Sequence, residues 1–243
     1  TQSKEKYKEL QEDNHYNLKR RKSRRFFIGP SSISLEMNNI VALESDNATK
    51  ENINFPYTVT EKADGIRKLL YVAPNQRIYL IDINLEIEFT GLICNNKEYI
   101  NTIIDGEHVM YDKHGKFINK YLCFDIYWTG DEDVRVFPFI QMEKMKYDAK
   151  IPTNIFRYTE MMKSLSKMDY KSITNKSFAL DIEAKEFYTN LNSSIFKQCK
   201  IIIDKANDGM FDYETDGLIF TPIDKSVGSK KNGVLEKNKT WNL

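Results

Sequence analysis

Glu61-Lys62-Ala63-Asp64-Gly65-Ile66-Arg67 decides how the rest of this sequence is read. It lies between two strand-like stretches. Tyr57-Thr58-Val59-Thr60 alternates aromatic and β-branched residues, and Ile66 to Ala73 is mostly apolar. Gly65 can supply an unusual backbone turn between them. A lysine attacks phosphorus only as the neutral amine, and burial or a nearby cation such as Arg67 would favour that form. Arg67 itself offers a planar fork for phosphate or ribose oxygens. The competing reading of the same residues is an ordinary charged turn.

Three later segments carry related patterns. In Ile104-Asp105-Gly106-Glu107-His108-Val109, a carboxylate follows glycine in a strand context. Glu107 is placed to bind a ribose hydroxyl or a divalent metal, although alone the segment reads better as an Asp-Gly hairpin turn. In Cys123-Phe124-Asp125-Ile126-Tyr127-Trp128, Phe124 can stack on a purine, but a lone Phe in a strand is more often core. In Glu214-Thr215-Asp216-Gly217-Leu218-Ile219-Phe220, Asp216 can hold Mg²⁺ with Glu214 as its companion, and the segment alone also reads as a turn. The order and spacing of the set carry more weight than any member. Lys-x-Asp-Gly-x-Arg alone is expected by chance in well under roughly one per cent of chains this long.

Around these segments the pattern is strand-rich. Arg77 to Ile83, Leu85 to Phe89, Tyr99 to Met110, Tyr121 to Trp128, Phe178 to Tyr188 and Gly217 to Thr221 read as strands. Phe139 to Asp148, Asn154 to Met168 and Ser194 to Asn207 read as helices from their apolar spacing. The class implied is α+β, strands with helices on their flanks.

The chain has 243 residues, 41% hydrophobic, enough for one large domain with or without an appendage. Its net charge of +1 is unevenly placed: residues 1–25 carry net +5, with the basic run Lys19 to Arg25, and the rest carries net −4. That run could steer RNA or form a solvated helix face. Cys94, Cys123 and Cys199 are too few and too scattered for a disulfide framework or a CxxC metal site, which points to a reducing compartment. No apolar run reaches membrane-spanning length, and no secretory segment opens the chain. The expected organisation is a basic or linker segment at 1–54, the end of a preceding domain, followed by a catalytic domain at 55–243, within a longer protein.

On these motifs the sequence resembles the covalent nucleotidyltransferase superfamily of DNA ligases, RNA ligases and mRNA capping guanylyltransferases. Lys62 to Arg67 matches its nucleophile motif, Asp105-Gly106-Glu107 its third, Phe124-Asp125 the next, and Asp216 to Phe220 its fourth. Ligases usually carry Glu-Gly in the fourth motif and capping enzymes Asp-Gly, as here. Thr215 to Pro222 followed by Trp241-Asn242-Leu243 looks most like the multifunctional capping enzymes of large cytoplasmic DNA viruses. The resemblance implies a nucleotidyltransferase fold of antiparallel sheets with flanking helices. It implies GTP as substrate, Mg²⁺ or Mn²⁺, and an RNA 5′-diphosphate end as acceptor. It also implies flanking triphosphatase and methyltransferase domains, no membrane, and a site of action in the host cytoplasm (the viral factory) or the virion.

The roles it implies are Lys62 as nucleophile, Arg67, Glu107, Phe124 and Lys185 as nucleotide contacts, and Asp216 with Glu214 at the metal. The sequence departs from the family in three places. The fifth motif is not recognised, the sixth motif and its OB-fold domain are absent from these residues, and Ile83 follows Leu80-Ile81-Asp82 where some capping enzymes have arginine. The rival readings are an ATP-dependent ligase and a silent RNA- or partner-binding module on the same fold.

Overall fold

The structure, a computed structural model, describes residues 27–46, 52–141, 155–173 and 179–227, together with the backbone of short strands at 230–231, 234–235 and 241–242. The basic run Lys19 to Arg25 and most of the expected helix from Phe139 to Asp148 lie outside them; Phe139 itself is a fully buried loop residue.

In chain order the strands are β1 (Ile33–Ser34), β2 (Tyr57–Ala63), β3 (Ile66–Val72), β4 (Arg77–Asp82), β5 (Ile87–Cys94), β6 (Ile103–Tyr111), β7 (Phe117–Thr129), β8 (Glu132–Asp133), β9 (Tyr170–Ser172), β10 (Asp181–Ala184), β11 (Tyr188–Thr189), β12 (Thr215–Pro222), β13 (Lys230–Lys231), β14 (Val234–Leu235) and β15 (Trp241–Asn242). Two α-helices accompany them, α1 (Arg157–Lys167) and α2 (Ile195–Asn207). Ser194, at the start of the third expected helix, caps α2 by accepting from the amide of Lys197.

The strands form two main sheets. One runs β1-β15-β12-β2-β11; the other runs β10-β7-β6-β3-β4-β5-β9, with β8 added to β7. Pairing is antiparallel except for β1 with β15 and β10 with β7. The α+β architecture of antiparallel sheets with flanking helices is the one expected.

The larger sheet is covered on both faces here, which is why β3 is a continuous buried apolar run from Leu69 to Val72. Leu70 and Val72 join Ile78, Leu80, Ile104 and Cys123 beneath α1, where Met161 is fully buried. Leu69 and Tyr71 point the other way and pack with Ile28, Ile81, Ile103 and Tyr127. The smaller sheet packs its apolar face on α2. Val59, Leu218 and Phe220 pack against Ile195 and Ile202 of α2, with Ile53, Leu35 and Ile40 closing the cluster. Its opposite face, carrying Thr60, Lys62, Ile219 and Thr221, looks into the space between the sheets.

The chain crosses between the two sheets beside this space at two places. The first is Asp64-Gly65, between β2 and β3. Gly65 does not adopt a left-handed conformation there. Its requirement is space: a Cβ would lie 2.8 Å from Glu107 Cγ, 2.9 Å from the His108 carbonyl oxygen and 3.0 Å from Val109 Cγ2. The second is Lys185-Glu186-Phe187. The single strand expected from Phe178 to Tyr188 is two strands in different sheets, β10 on β7 and β11 on β2. The Asp105-Gly106 hairpin turn does not form either. These residues sit in the middle of β6, with Asp105 opposite Leu69 of β3.

A buried ion pair ties α1 to the larger sheet. Arg157 Nε donates to Asp125 Oδ1 at 2.8 Å and Nη2 to Oδ2 at 3.1 Å, while Nη1 donates to the carbonyls of Phe137 and Lys225. Removing one member of such a pair strands the other in a dry interior. Arg157→Met should therefore lower the folding free energy by about 3–5 kcal/mol at neutral pH, read from urea midpoints. The loss should shrink in acid, where Asp125 protonates. A deficit under about 1 kcal/mol would mean that the pair does not hold α1 in place.

Candidate active site

Between the sheets lies a cavity of about 220 Å³. Of the residues singled out in the sequence, Lys62, Arg67, Glu107, Phe124 and Lys185 line it. Asp216 stands beside it, in contact with Lys62. Glu214 is exposed and is not part of the lining; its backbone carbonyl accepts from the amide of Asp64 at 2.9 Å.

Each cation of the lining is held by a carboxylate. Lys62 Nζ forms a short ion pair with Asp216 Oδ2, with 30% of the lysine side chain and 49% of the aspartate side chain exposed. That exposure leaves the lysine reachable from outside, which a nucleophile requires. Arg67 sits deeper. Its Nε donates to Asp105 Oδ1 at 3.0 Å, Nη2 makes a second, short bond to Oδ2, and Nη1 donates to the Pro30 carbonyl at 2.6 Å. Tyr127 also donates its hydroxyl to Asp105. Burial opposes the charge on Arg67, but Asp105 and Tyr127 outweigh it and raise the guanidinium above its usual range.

Lys185 is almost wholly buried. Its Nζ lies 3.1 Å from Glu61 Oε1 and also donates to the Glu61 backbone carbonyl. Glu61 in turn accepts from Thr60 Oγ1 at 2.8 Å and from the Tyr213 hydroxyl at 3.0 Å. The residue next to Lys62 thus anchors the lysine arriving from the second crossing, and β10, β2 and the segment before β12 meet in one buried network.

Glu107 faces the same cavity. Burial pushes its carboxyl up to about 7; Lys185, Arg67 and Lys62 pull it down, while Asp105 adds to the rise. A group so poised takes up or releases a proton near neutrality, as residues of chemical sites do.

Sequence reading missed several residues of the lining. Strand alternation in β12 turns Ile219 and Thr221 to the cavity and Leu218 and Phe220 to the core, so the signal for Ile219 was present in the pattern. Phe187 left no such signal, because its placement depends on the crossing. Its ring packs edge-on against Phe139 and Tyr158, at 4.9 and 5.5 Å between centroids. Asp105 read as half of a turn and is the buried partner of Arg67. Among the described residues, no cluster of three His, Cys, Asp or Glu side chains is placed to hold a metal ion.

A lysine at the junction of two sheets stands over a cavity lined by cations, a carboxyl and aromatics, chemistry that suits an anionic ligand with a flat ring. Comparison with known proteins gives the family. Residues 1–240 match the family model of the mRNA capping enzyme catalytic domain, and the chain belongs to that family. It is 26% identical over 221 residues to a probable mRNA-capping enzyme of Acanthamoeba polyphaga mimivirus, covering 78% of this chain and 18% of that protein. It is 24% identical over 218 residues to an mRNA-capping enzyme of Danio rerio, covering 86% of this chain and 32% of that protein. The chain therefore spans less than a third of either relative. Among solved structures it is similar to a mycobacterial DNA ligase D complexed with ATP and MES, with a TM-score of 0.43 and 11% identity over 77% of this chain and 54% of that one. It is also similar to the ligase domain of M. tuberculosis LigD, with a TM-score of 0.41 and 12% identity over 77% and 53% of the two chains.

The position of Glu107 has a consequence for stability. Its carboxyl is raised from 4.5 to about 7 on folding, so between these values the folded chain holds more protons than the unfolded one. The contribution of this group to stability is greatest below that window and is lost as pH rises through it. Glu107→Gln should remove this slope and make the protein relatively more stable at pH values above about 7. Urea midpoints of parent and variant across the window test this; a difference between them that does not vary with pH would contradict it.

Proposed function

We propose that this domain is an mRNA guanylyltransferase that moves GMP from GTP through Lys62 to the 5′-diphosphate end of RNA. The observation that carries the reading is the position of Lys62, exposed at the edge of the inter-sheet cavity with Lys185 inside it, in a chain of the capping enzyme family.

In the first step the Lys62 amine attacks the α-phosphorus of GTP. A nitrogen–phosphorus bond forms, the bond to the bridging oxygen breaks, pyrophosphate leaves, and the amine gives up a proton. In the second step an oxygen of the RNA diphosphate attacks the same phosphorus, the nitrogen–phosphorus bond breaks, and Lys62 recovers its proton. One difficult transfer thereby becomes two easier ones. In the free protein Asp216 grips the Lys62 side chain as an ion pair. An ammonium has no lone pair to offer, so Lys62 sheds one proton to solvent before attack and a second as the nitrogen–phosphorus bond forms.

Phe124 on the larger sheet and Ile219 on the smaller one supply apolar surfaces for the two faces of a base. Lys185 offers donors only, which suits the acceptor O6 of guanine and opposes the amino group at the same place in adenine. Arg67 and Glu107 are positioned for ribose and phosphate oxygens. The described residues form no cage for a resident metal. Mg²⁺ or Mn²⁺ is read as arriving on the triphosphate as part of the substrate, with Asp216 and then Glu214 the nearest acidic side chains in the sequence motif.

Residues 27–46 and 52–54 belong to this unit on our reading, since Ile28, Leu35 and Ile53 pack into its cores. The likeness to longer capping enzymes, one of them from a giant virus, supports a multifunctional viral protein with triphosphatase and methyltransferase domains beside this one, acting in the host cytoplasm. No helix among the described residues is long and apolar enough to cross a membrane.

Incubation with α-labelled GTP or ATP, followed by a denaturing gel and acid treatment, tests the reaction. The expected result is an acid-labile label from GTP only, absent in Lys62→Ala. A label from ATP only would make the protein a ligase-type adenylyltransferase, and a label that survives Lys62→Ala would refute Lys62 as the nucleophile. Lys185→Gln, whose amide can also accept, should narrow the preference for GTP over ATP by about tenfold or more. Unchanged discrimination in a folded variant would remove Lys185 from base recognition.

A further inference from the structure

Arg67 is held by more than its carboxylate. Three of its five N–H groups are engaged, two by Asp105 and one, at 2.6 Å, by the carbonyl of Pro30. Its guanidinium also lies 5.0 Å from the ring centroid of Phe27 and 5.5 Å from that of Phe124. Phe27 and Pro30 flank Ile28, which is buried with Leu69, Tyr71 and Tyr127 and so fixes this segment against the larger sheet. Pro30 and Ser32 then continue as part of the cavity lining.

Between the anchor and the wall lies Gly29. A Cβ there would overlap Arg67 Nη2 and would lie 2.9 Å from Asp105 Oδ2 and 2.8 Å from Phe27 Cε1. The backbone passes so close to the ion pair that a side chain here would have to push the guanidinium, the Asp105 carboxylate and the Phe27 ring aside.

We propose that residues 27–32 are a positioning strap of the nucleotide site: Phe27 and the Pro30 carbonyl clamp Arg67 in one orientation, and Gly29 is where the strap is thin enough to reach it. The proposal rests on the reading of the cavity as a nucleotide pocket. A free arginine loses rotamer freedom when it meets a ligand, and the clamp removes that freedom beforehand. Two guanidinium N–H groups stay available on the terminal nitrogens for ribose or phosphate oxygens. Gly29 touches no substrate in this arrangement; it acts through Arg67.

The test combines two readouts on Gly29→Ala, with Phe27→Leu as a milder second variant. The first is the ¹⁵N-resolved side-chain signals of Arg67, identified by their loss in Arg67→Lys. They should be resolved and slow to exchange in the parent, shifted in Phe27→Leu, and shifted or broadened in Gly29→Ala. The second is the dissociation constant for GTP. Gly29→Ala should weaken it about tenfold or more while the labelling rate at saturating GTP stays near that of the parent. In an Arg67→Lys background the same change should cost less than about twofold, because interacting residues are not additive.

Unchanged Arg67 signals would overturn the strap. Equal losses in both backgrounds would also overturn it, reducing Gly29 to a piece of the wall. A parent chain that binds no GTP, with Arg67 signals that still respond to Gly29→Ala, would overturn the nucleotide reading and with it any ligand role for the strap, while the contact itself would stand.

Discussion

The chain can pass from one sheet to the other beside Lys62 only because residue 65 has no side chain. Gly65 brings the β2–β3 crossing down onto β6, against Glu107 and Val109. This contact places Lys62, the last inward-facing residue of β2, above the carboxyl of β6, and it sets Arg67 opposite Glu107 in the neighbouring strand. Ala63, Val109, Leu122 and Tyr213 fill the small cluster that joins the sheets at this point. A larger residue at position 65 would separate the sheets where the cavity needs them close.

The second crossing, at Lys185, completes the enclosure from the opposite direction. Because β10 pairs with β7 and β11 with β2, the three residues between them span the gap and carry Lys185 and Phe187 into it. Lys185 is then locked to Glu61, and the two crossings are tied by one buried ion pair. Buried pairs of this kind add little net stability over apolar residues of the same shape, since desolvation offsets their attraction. Their value here is orientation: Glu61, Asp105 and Asp125 aim a lysine and two arginines that would otherwise explore many rotamers.

The electrostatics of the site form two zones. Deep in the protein, Arg67 and Lys185 are held by dedicated carboxylates and keep free N–H groups as fixed donors. At the edge, Lys62 and Asp216 are half-exposed and able to exchange partners. Glu107 lies between the zones, raised by burial toward neutrality and surrounded by all three cations. A rigid interior with one labile pair at its mouth is what the proposed two-step transfer would require, with the base and sugar held while the lysine alternates between free and covalently occupied states.

The lysine motif, the order of the later motifs and most strands were legible in the sequence because they rest on local rules: alternation in β2, apolar runs in β3 and β12, and helical spacing in α1 and α2. Arg67, Glu107 and Phe124 could be nominated as a set because the motif order brings them into one frame. The partners could not. Asp105 read as a turn because Asp-Gly favours one in isolation, and only pairing with β3 on one side and β7 on the other holds it extended and buried. Glu61 was given no role, because its partner Lys185 lies 124 positions away in the chain and meets it only inside the protein. Gly29 lay outside the motifs altogether. What the sequence by itself determined was a candidate set of chemically able residues and that strands present them. Tertiary structure alone decided which carboxylate holds which cation, because that choice depends on two inter-sheet crossings and on close backbone approaches that no local pattern encodes.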